Sequence, residues 1–176
     1  MGESLVGTQD STLESDFSLF PWLGTAGHGH LERTAFPDAM HEMKLYVGDV
    51  PGYGPIKGTT DLFIPDEGLV VDWKFVGIKK IKEYRNHGAP AQYRYQIQLY
   101  ARGCELAGYG VQSVAIVFIP RDSSDINDIF VHEELYQPAM AERALERAGL
   151  VYAEAVANGW DSLPSDDKCW RCRYRY

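Results

Sequence analysis

The chain lacks any apolar run approaching the ~20 residues that span a bilayer, so no segment reads as a membrane-spanning helix. Its opening residues, 1–16, are acidic and hydroxyl-rich, with neither the basic start nor the apolar stretch of a secretory signal. A soluble, cytoplasmic protein is expected. Cysteine is scarce: Cys104, Cys169 and Cys172 are an odd number without a secretory signal, which argues against a disulfide framework. Positive charge is also in deficit. With 17 Lys and Arg against 25 Asp and Glu, the net charge is −8. No global field draws polyanions or an anionic membrane surface, so nucleic-acid binding would have to rest on local basic clusters or bound metal. Internal repeats and low-complexity tracts are absent.

What is present is the composition of a globular domain. At 45% hydrophobic and 24% charged residues, wholesale disorder is excluded. The length of 176 residues suits one domain with a genuine core. The reading is a flexible arm over 1–16 and a single domain over 17–176. Within it, 23–33 could open a helix despite three glycines, 43–47 alternates like a strand, and a turn-rich stretch follows through Gly58. Segments 59–64 and 69–75 read as strands joined by the turn 65–68. Residues 90–107 form the clearest helix, with Tyr93, Ile97, Tyr100, Ala101, Cys104 and Ala107 as its apolar stripe. Strands are expected at 113–119 and 129–135, then a helix at 138–158 with Ala141, Ala144, Leu145, Ala148, Tyr152, Ala155 and Val156 inward. This order implies a mixed α/β domain, helices covering a central sheet.

The chemistry gathers around the 65–68 turn. If those four residues make the loop, Ile64 pairs with Leu69, Asp61 falls opposite Asp72, and Lys74 shares the face of Asp72. Opposed carboxylates repel, and a fold tolerates them where a positive group sits between them. Hard oxygen donors on rigid strands suit Mg²⁺ or Mn²⁺. A neighbouring lysine could hold a metal-bound water, whose pKa the metal lowers. Such a set fits hydrolysis of a phosphodiester.

The ordered motifs Gly24-Thr25-Ala26-Gly27-His28 with Glu32, then Asp61, then Asp72-Trp73-Lys74, then Gln96-Ile97-Gln98-Leu99-Tyr100 resemble the PD-(D/E)XK nuclease superfamily, in particular its RecB-like exonuclease branch. The resemblance covers 24–100. It implies a restriction-endonuclease-like core and a metal-dependent DNA exonuclease of recombination, repair or phage DNA processing, in a bacterial or phage-infected cell. It implies His28, Asp61, Asp72 and the main-chain carbonyl of Trp73 as metal ligands. Lys74 would be the catalytic lysine, with Gln96 and Tyr100 contacting substrate or bracing that lysine. His28 is preferred to His30 because it matches the family spacing, and Glu32 is placed as a support to the metal. Many members of the branch carry a four-cysteine iron–sulfur site. Only Cys169 and Cys172 are available here, so no cluster is expected.

The expected partner is single- or double-stranded DNA, with a homo-oligomer or a recombination partner protein as further associations. A different class of reading is a catalytically silent nuclease-fold module that binds nucleic acid or a protein. A third is a structural metal-binding protein in which Cys169 and Cys172 join a partner's ligands. The basic run Lys79, Lys80, Lys82 and Arg85 reads either as a solvated face or as a phosphate contact. The 171–176 tail, basic and aromatic, could stack on a single strand.

Overall fold

The computed structural model describes residues 26–27, 29–30 and 38–164. Among them, strands β1 (Met40–Val50), β2 (Gly54–Ile64), β3 (Leu69–Val76), β4 (Ser113–Pro120) and β5 (Phe130–Leu135) form one sheet in that spatial order. Neighbours pair antiparallel except β3 and β4, which are parallel. A parallel pair needs a crossover, and helices α1 (Ile78–His87) and α2 (Ala91–Leu106) supply it. Helix α3 (Pro138–Asn158) follows β5. The architecture is the mixed α/β one read from the sequence. No helix among the described residues is long and apolar enough to cross a membrane.

Helix α2 organises the core. Its Ile97, Ala101 and Cys104 recur at helical spacing and are fully buried among Leu45, Val47, Phe63, Val70, Val114, Ile116 and Phe118 of four strands. Each large apolar side chain so buried stabilises the fold by about 1.5–3 kcal/mol. Gly103 brings the helix close to β1, because a Cβ there would stand 2.8 Å from that of Leu45. Leu62, Val71 and Ala115, each one residue from a main-core position on its strand, form a smaller cluster on the opposite side of the sheet.

Two expectations need correction, and a third gains a structural context. The basic residues Lys79, Lys80, Lys82 and Arg85 are exposed, as a solvated face requires, and they stand on the helix α1, which the sequence did not reveal. One side is apolar, with Ile81 buried and Tyr84 packed on the core, and Asp122 Oδ1 accepts the first-turn N–H of Ile78 at 2.7 Å. One buried isoleucine among lysines makes too narrow a stripe to stand out. The turn-rich stretch before 59 is largely strand, turning only at 51–53, where Tyr53 N–H reaches Val50 O at 3.0 Å. Pro55 fits within β2 because β3 pairs only with Leu62 to Ile64, so this end of β2 has a single neighbour. In α3, Ala148 and Val156 face outward, Val156 being 66% exposed, while Met140 and Gly149 are buried. Alanine-rich helices carry little hydrophobic contrast, and the observed rotation seats Gly149 against Pro51, where a Cβ would stand 2.8 Å from the ring.

Candidate active site

The site lies where β2 and β3 part. Pairing from the turn runs Ile64–Leu69, Phe63–Val70 and Leu62–Val71, as counted from the sequence, and there the ladder ends. Asp61 does not take the next rung opposite Asp72. Its Oδ2 instead accepts the main-chain N–H of Trp73 at 2.8 Å. The side chain thus satisfies an amide that the departing strand no longer serves. The two-residue alternation of β2 is interrupted at the same level. Gly58 meets Tyr100 of α2 and Phe63 lies in the α2-covered core, although five residues separate them. On β1, the residue that falls beside this break, Glu42, has a φ of 48°.

Strand β3 keeps its alternation, so Asp72 and Lys74 follow Val70 on the α2-covered side. Asp72 is only 3% exposed. A buried carboxylate needs a positive partner, and Lys74 provides one, its Nζ standing 2.8 Å from Oδ2 and 3.1 Å from Oδ1. The same ammonium sits over the ring of Tyr93, 5.3 Å from its centroid. On the next turns of α2, Gln96 Nε2 donates to the Tyr100 hydroxyl at 2.7 Å. Gly58 makes room for that ring, because a Cβ there would stand 2.7 Å from Tyr100 Cε1. Burial pushes the Tyr100 pKa up; the Gln96 hydrogen bond opposes this, Asp72 adds to it, Lys74 opposes it and Asp61 adds to it. Tyr100 therefore senses all three charged groups of the site.

Of the residues named from sequence, Asp61, Asp72, Trp73, Lys74, Gln96 and Tyr100 come together here. His28, Glu32, Cys169 and Cys172 lie outside the described residues. Around His28, Ala26, Gly27, Gly29 and His30 have helical backbone, His30 is exposed, and Gly27 is packed so that a Cβ would overlap the Phe75 ring, one residue past Lys74. Among the described residues, no group of three His, Cys, Asp or Glu side chains is gathered to hold a metal.

Two residues escaped the sequence reading. Tyr93, counted there only as part of an apolar stripe, supplies the ring beneath Lys74. Its spacing of three to Gln96 and seven to Tyr100, one helix face, was the available signal. Asp122 caps α1 from a loop that follows β4, and nothing local to it reveals that contact.

No protein-family model matches the sequence, and no curated protein does. Solved structures do match. The protein SSO0001 superposes with a TM-score of 0.60 at 19% identity, covering 89% of this chain and 67% of that one. An alkaline exonuclease from Laribacter hongkongensis, LHK-Exo, superposes at 0.51 and 14% identity, covering 81% and 68%. The same enzyme in complex with dAMP gives 0.51 at 17% identity, covering 78% and 66%. The chain is similar in fold to these proteins, and its mixed five-stranded sheet flanked by helices is the α/β fold of a nuclease structure.

Proposed function

We propose that this chain is a divalent-metal-dependent nuclease that hydrolyses DNA phosphodiester bonds, of the RecB-like branch of the PD-(D/E)XK superfamily and exonucleolytic in action. The observation that carries the reading is the buried Asp72 carboxylate bound to Lys74, beside the Asp61 carboxylate on the neighbouring strand. Neither the core nor the sheet requires a lysine–carboxylate pair at this depth, since apolar residues of similar volume would serve the fold as well. The fold shared with LHK-Exo supports the reading, as does the nucleotide in that neighbour's complex.

The donor set fits a hard cation. Asp61 and Asp72 offer carboxylate oxygens and Trp73 a main-chain carbonyl, with no sulfur donor beside them in the strands. Mg²⁺ is held by as few as one or two carboxylates, retaining its waters, so two suffice. His28 would complete the set and would favour Mn²⁺ alongside Mg²⁺. When bound, the cation supplies a charge clamp on the phosphate and a more acidic water.

The chain's own residues do the rest. Lys74 donates from its ammonium to the attacking water or to the phosphoryl oxygens, where negative charge grows in the transition state. Asp72 orients that ammonium through both carboxylate oxygens. Asp61, anchored by the Trp73 amide through one oxygen, is fixed in direction. Gln96 directs its amide to the Tyr100 oxygen, leaving the phenol proton to be donated to substrate. The role in recombination, repair or phage DNA processing is part of the same proposal and rests on the motif resemblance. Incubation of the full chain with linear and closed circular DNA tests the reading. Loss of linear DNA with Mg²⁺ or Mn²⁺, circles being spared and chelator stopping it, is expected. Equal activity in chelator overturns the metal requirement, and cutting of circles overturns the exonuclease assignment.

A further inference from the structure

The ammonium of Lys74 is constrained from two directions, and only one of them belongs to the motif set. Asp72 holds it at 2.8 Å. The Tyr93 ring lies 5.3 Å away, within the ~6 Å reach of a cation–π contact. That ring is itself fixed. It meets Tyr84 edge-on, centroids 6.5 Å apart at 81°, and packs at 6.0 Å against Phe118, a fully buried residue. Phe118 in turn pairs with Lys74 across the parallel strands, so the lysine and its ring wall share one rigid frame. Tyr93 enters this frame from the first turn of α2, where its N–H bonds Pro90 O at 3.0 Å.

We infer that Tyr93 is a positioning residue for Lys74: its ring face holds the ammonium in place beside Asp72. The catalytic consequence rests on the nuclease reading, whereas the contact itself does not. A lysine side chain has four rotatable bonds and loses much rotamer entropy when ordered. The two oxygens of Asp72 restrain the ammonium from one side only. The ring adds a second restraint, one that costs no further desolvated charge. If Asp72 turns toward a divalent cation, the ring remains as the feature that keeps Lys74 aimed at the site. Because the attraction comes from the ring quadrupole, the hydroxyl is dispensable and the aromatic face is not.

Two measurements on the full chain decide this. In the first, position 93 carries Tyr93→Phe and then mono-, di- and trifluorinated phenylalanines, which preserve shape and folding while draining the ring's negative face. Cleavage of linear DNA is expected to survive Tyr93→Phe. The turnover number is expected to fall stepwise with fluorination, to a total of about 3- to 30-fold, with KM unchanged. A flat series, or a fall in KM alone, overturns the positioning role. The second measurement is the proton shift of the Lys74 ε-methylene in lysine-labelled protein. It is expected upfield of the other lysines in wild type and in Tyr93→Phe, and unshifted in Tyr93→Leu. A wild-type protein that cleaves nothing but shows that shift refutes the nuclease reading and leaves the contact standing. An unshifted Lys74 in wild type refutes the contact whatever the activity.

Discussion

The main-chain N–H of Trp73 is bonded to the Asp61 carboxylate at 2.8 Å, across the opening where β2 leaves β3. The bond ties the two strands after their ladder has stopped, and it fixes the Asp61 carboxylate beside the main chain that joins Asp72 to Lys74. The structural role of this side chain and the chemical role proposed for it can be separated by substitution. Asp61→Ala removes the acceptor and is expected to destabilise by about 1–3 kcal/mol. Asp61→Asn keeps a carbonyl for the Trp73 amide. It is expected to melt near the wild type yet lose on the order of 100-fold or more in cleavage. Thermal melts beside nuclease assays check this, and an active Asp61→Asn protein would remove Asp61 from the chemistry.

Cation binding should register in stability before any DNA is added. Manganese that binds the folded chain alone raises stability by mass action, about 2.7 kcal/mol at a hundredfold excess over Kd. Asp72→Asn is expected to abolish most of that gain. A Mn²⁺-induced shift in melting temperature as large in Asp72→Asn as in the parent would show that Asp72 holds no metal.

Gly58 and Tyr100 provide a packing test. Gly58→Ala places a methyl 2.7 Å from the Tyr100 ring, an overlap expected to cost roughly 1–3 kcal/mol. Removing the ring relieves it, so Gly58→Ala with Tyr100→Ala should cost less than the sum of the two. Additive losses in a denaturant double-mutant cycle would show that the close approach is not felt.

A buried polar network between α2 and β5 predicts a pH dependence. Gln98, fully buried, donates to Glu134 Oε1 at 3.0 Å and Leu135 O at 3.1 Å, and accepts the Gln137 N–H at 2.7 Å. Arg94 reaches Glu134 Oε2 at 2.6 Å. Burial alone would raise the Glu134 pKa, but the hydrogen bonds from Arg94 and Gln98 prevail and hold it below its ordinary 4.5. The folded-state value is the lower one, so the stability it confers is present above pH ~4.5 and disappears as pH falls through the folded-state value. Glu134→Gln is expected to cost about 1–3 kcal/mol at neutral pH. Its melting temperature should converge on the wild type in acid. A gap that is constant from neutral to acid pH would contradict the assignment.

Much of this arrangement was legible because it depends on short-range pattern. The Ile64–Leu69 register follows from a four-residue turn, and with it the placing of Asp72 and Lys74 on one face. Ile97, Ala101 and Cys104 mark the buried side of α2 by their spacing. What escaped depends on contacts between distant segments. The parting of β2 from β3 at Asp61 is settled by a side chain bonding a main-chain amide twelve residues on, which alternation cannot reveal. Helix α1 hides its one buried isoleucine among lysines and takes its cap from Asp122, 44 residues away. Tyr93 looked like any stripe residue until the lysine above it was placed.

The central claim turns on Lys74, and turnover of linear DNA by Lys74→Ala in the presence of Mn²⁺ tests it most directly. DNA affinity is measured alongside, with a Lys79/Lys80/Lys82 triple alanine variant as the comparison. In the proposed mechanism Lys74 acts on charge that exists only in the transition state, so Lys74→Ala is expected to lose about 10²–10³-fold in turnover while binding DNA nearly as well. The triple variant should weaken binding and keep its turnover number. Wild-type cleavage by Lys74→Ala, or no cleavage by the unaltered chain with binding lost in step with the basic residues removed, would contradict the account.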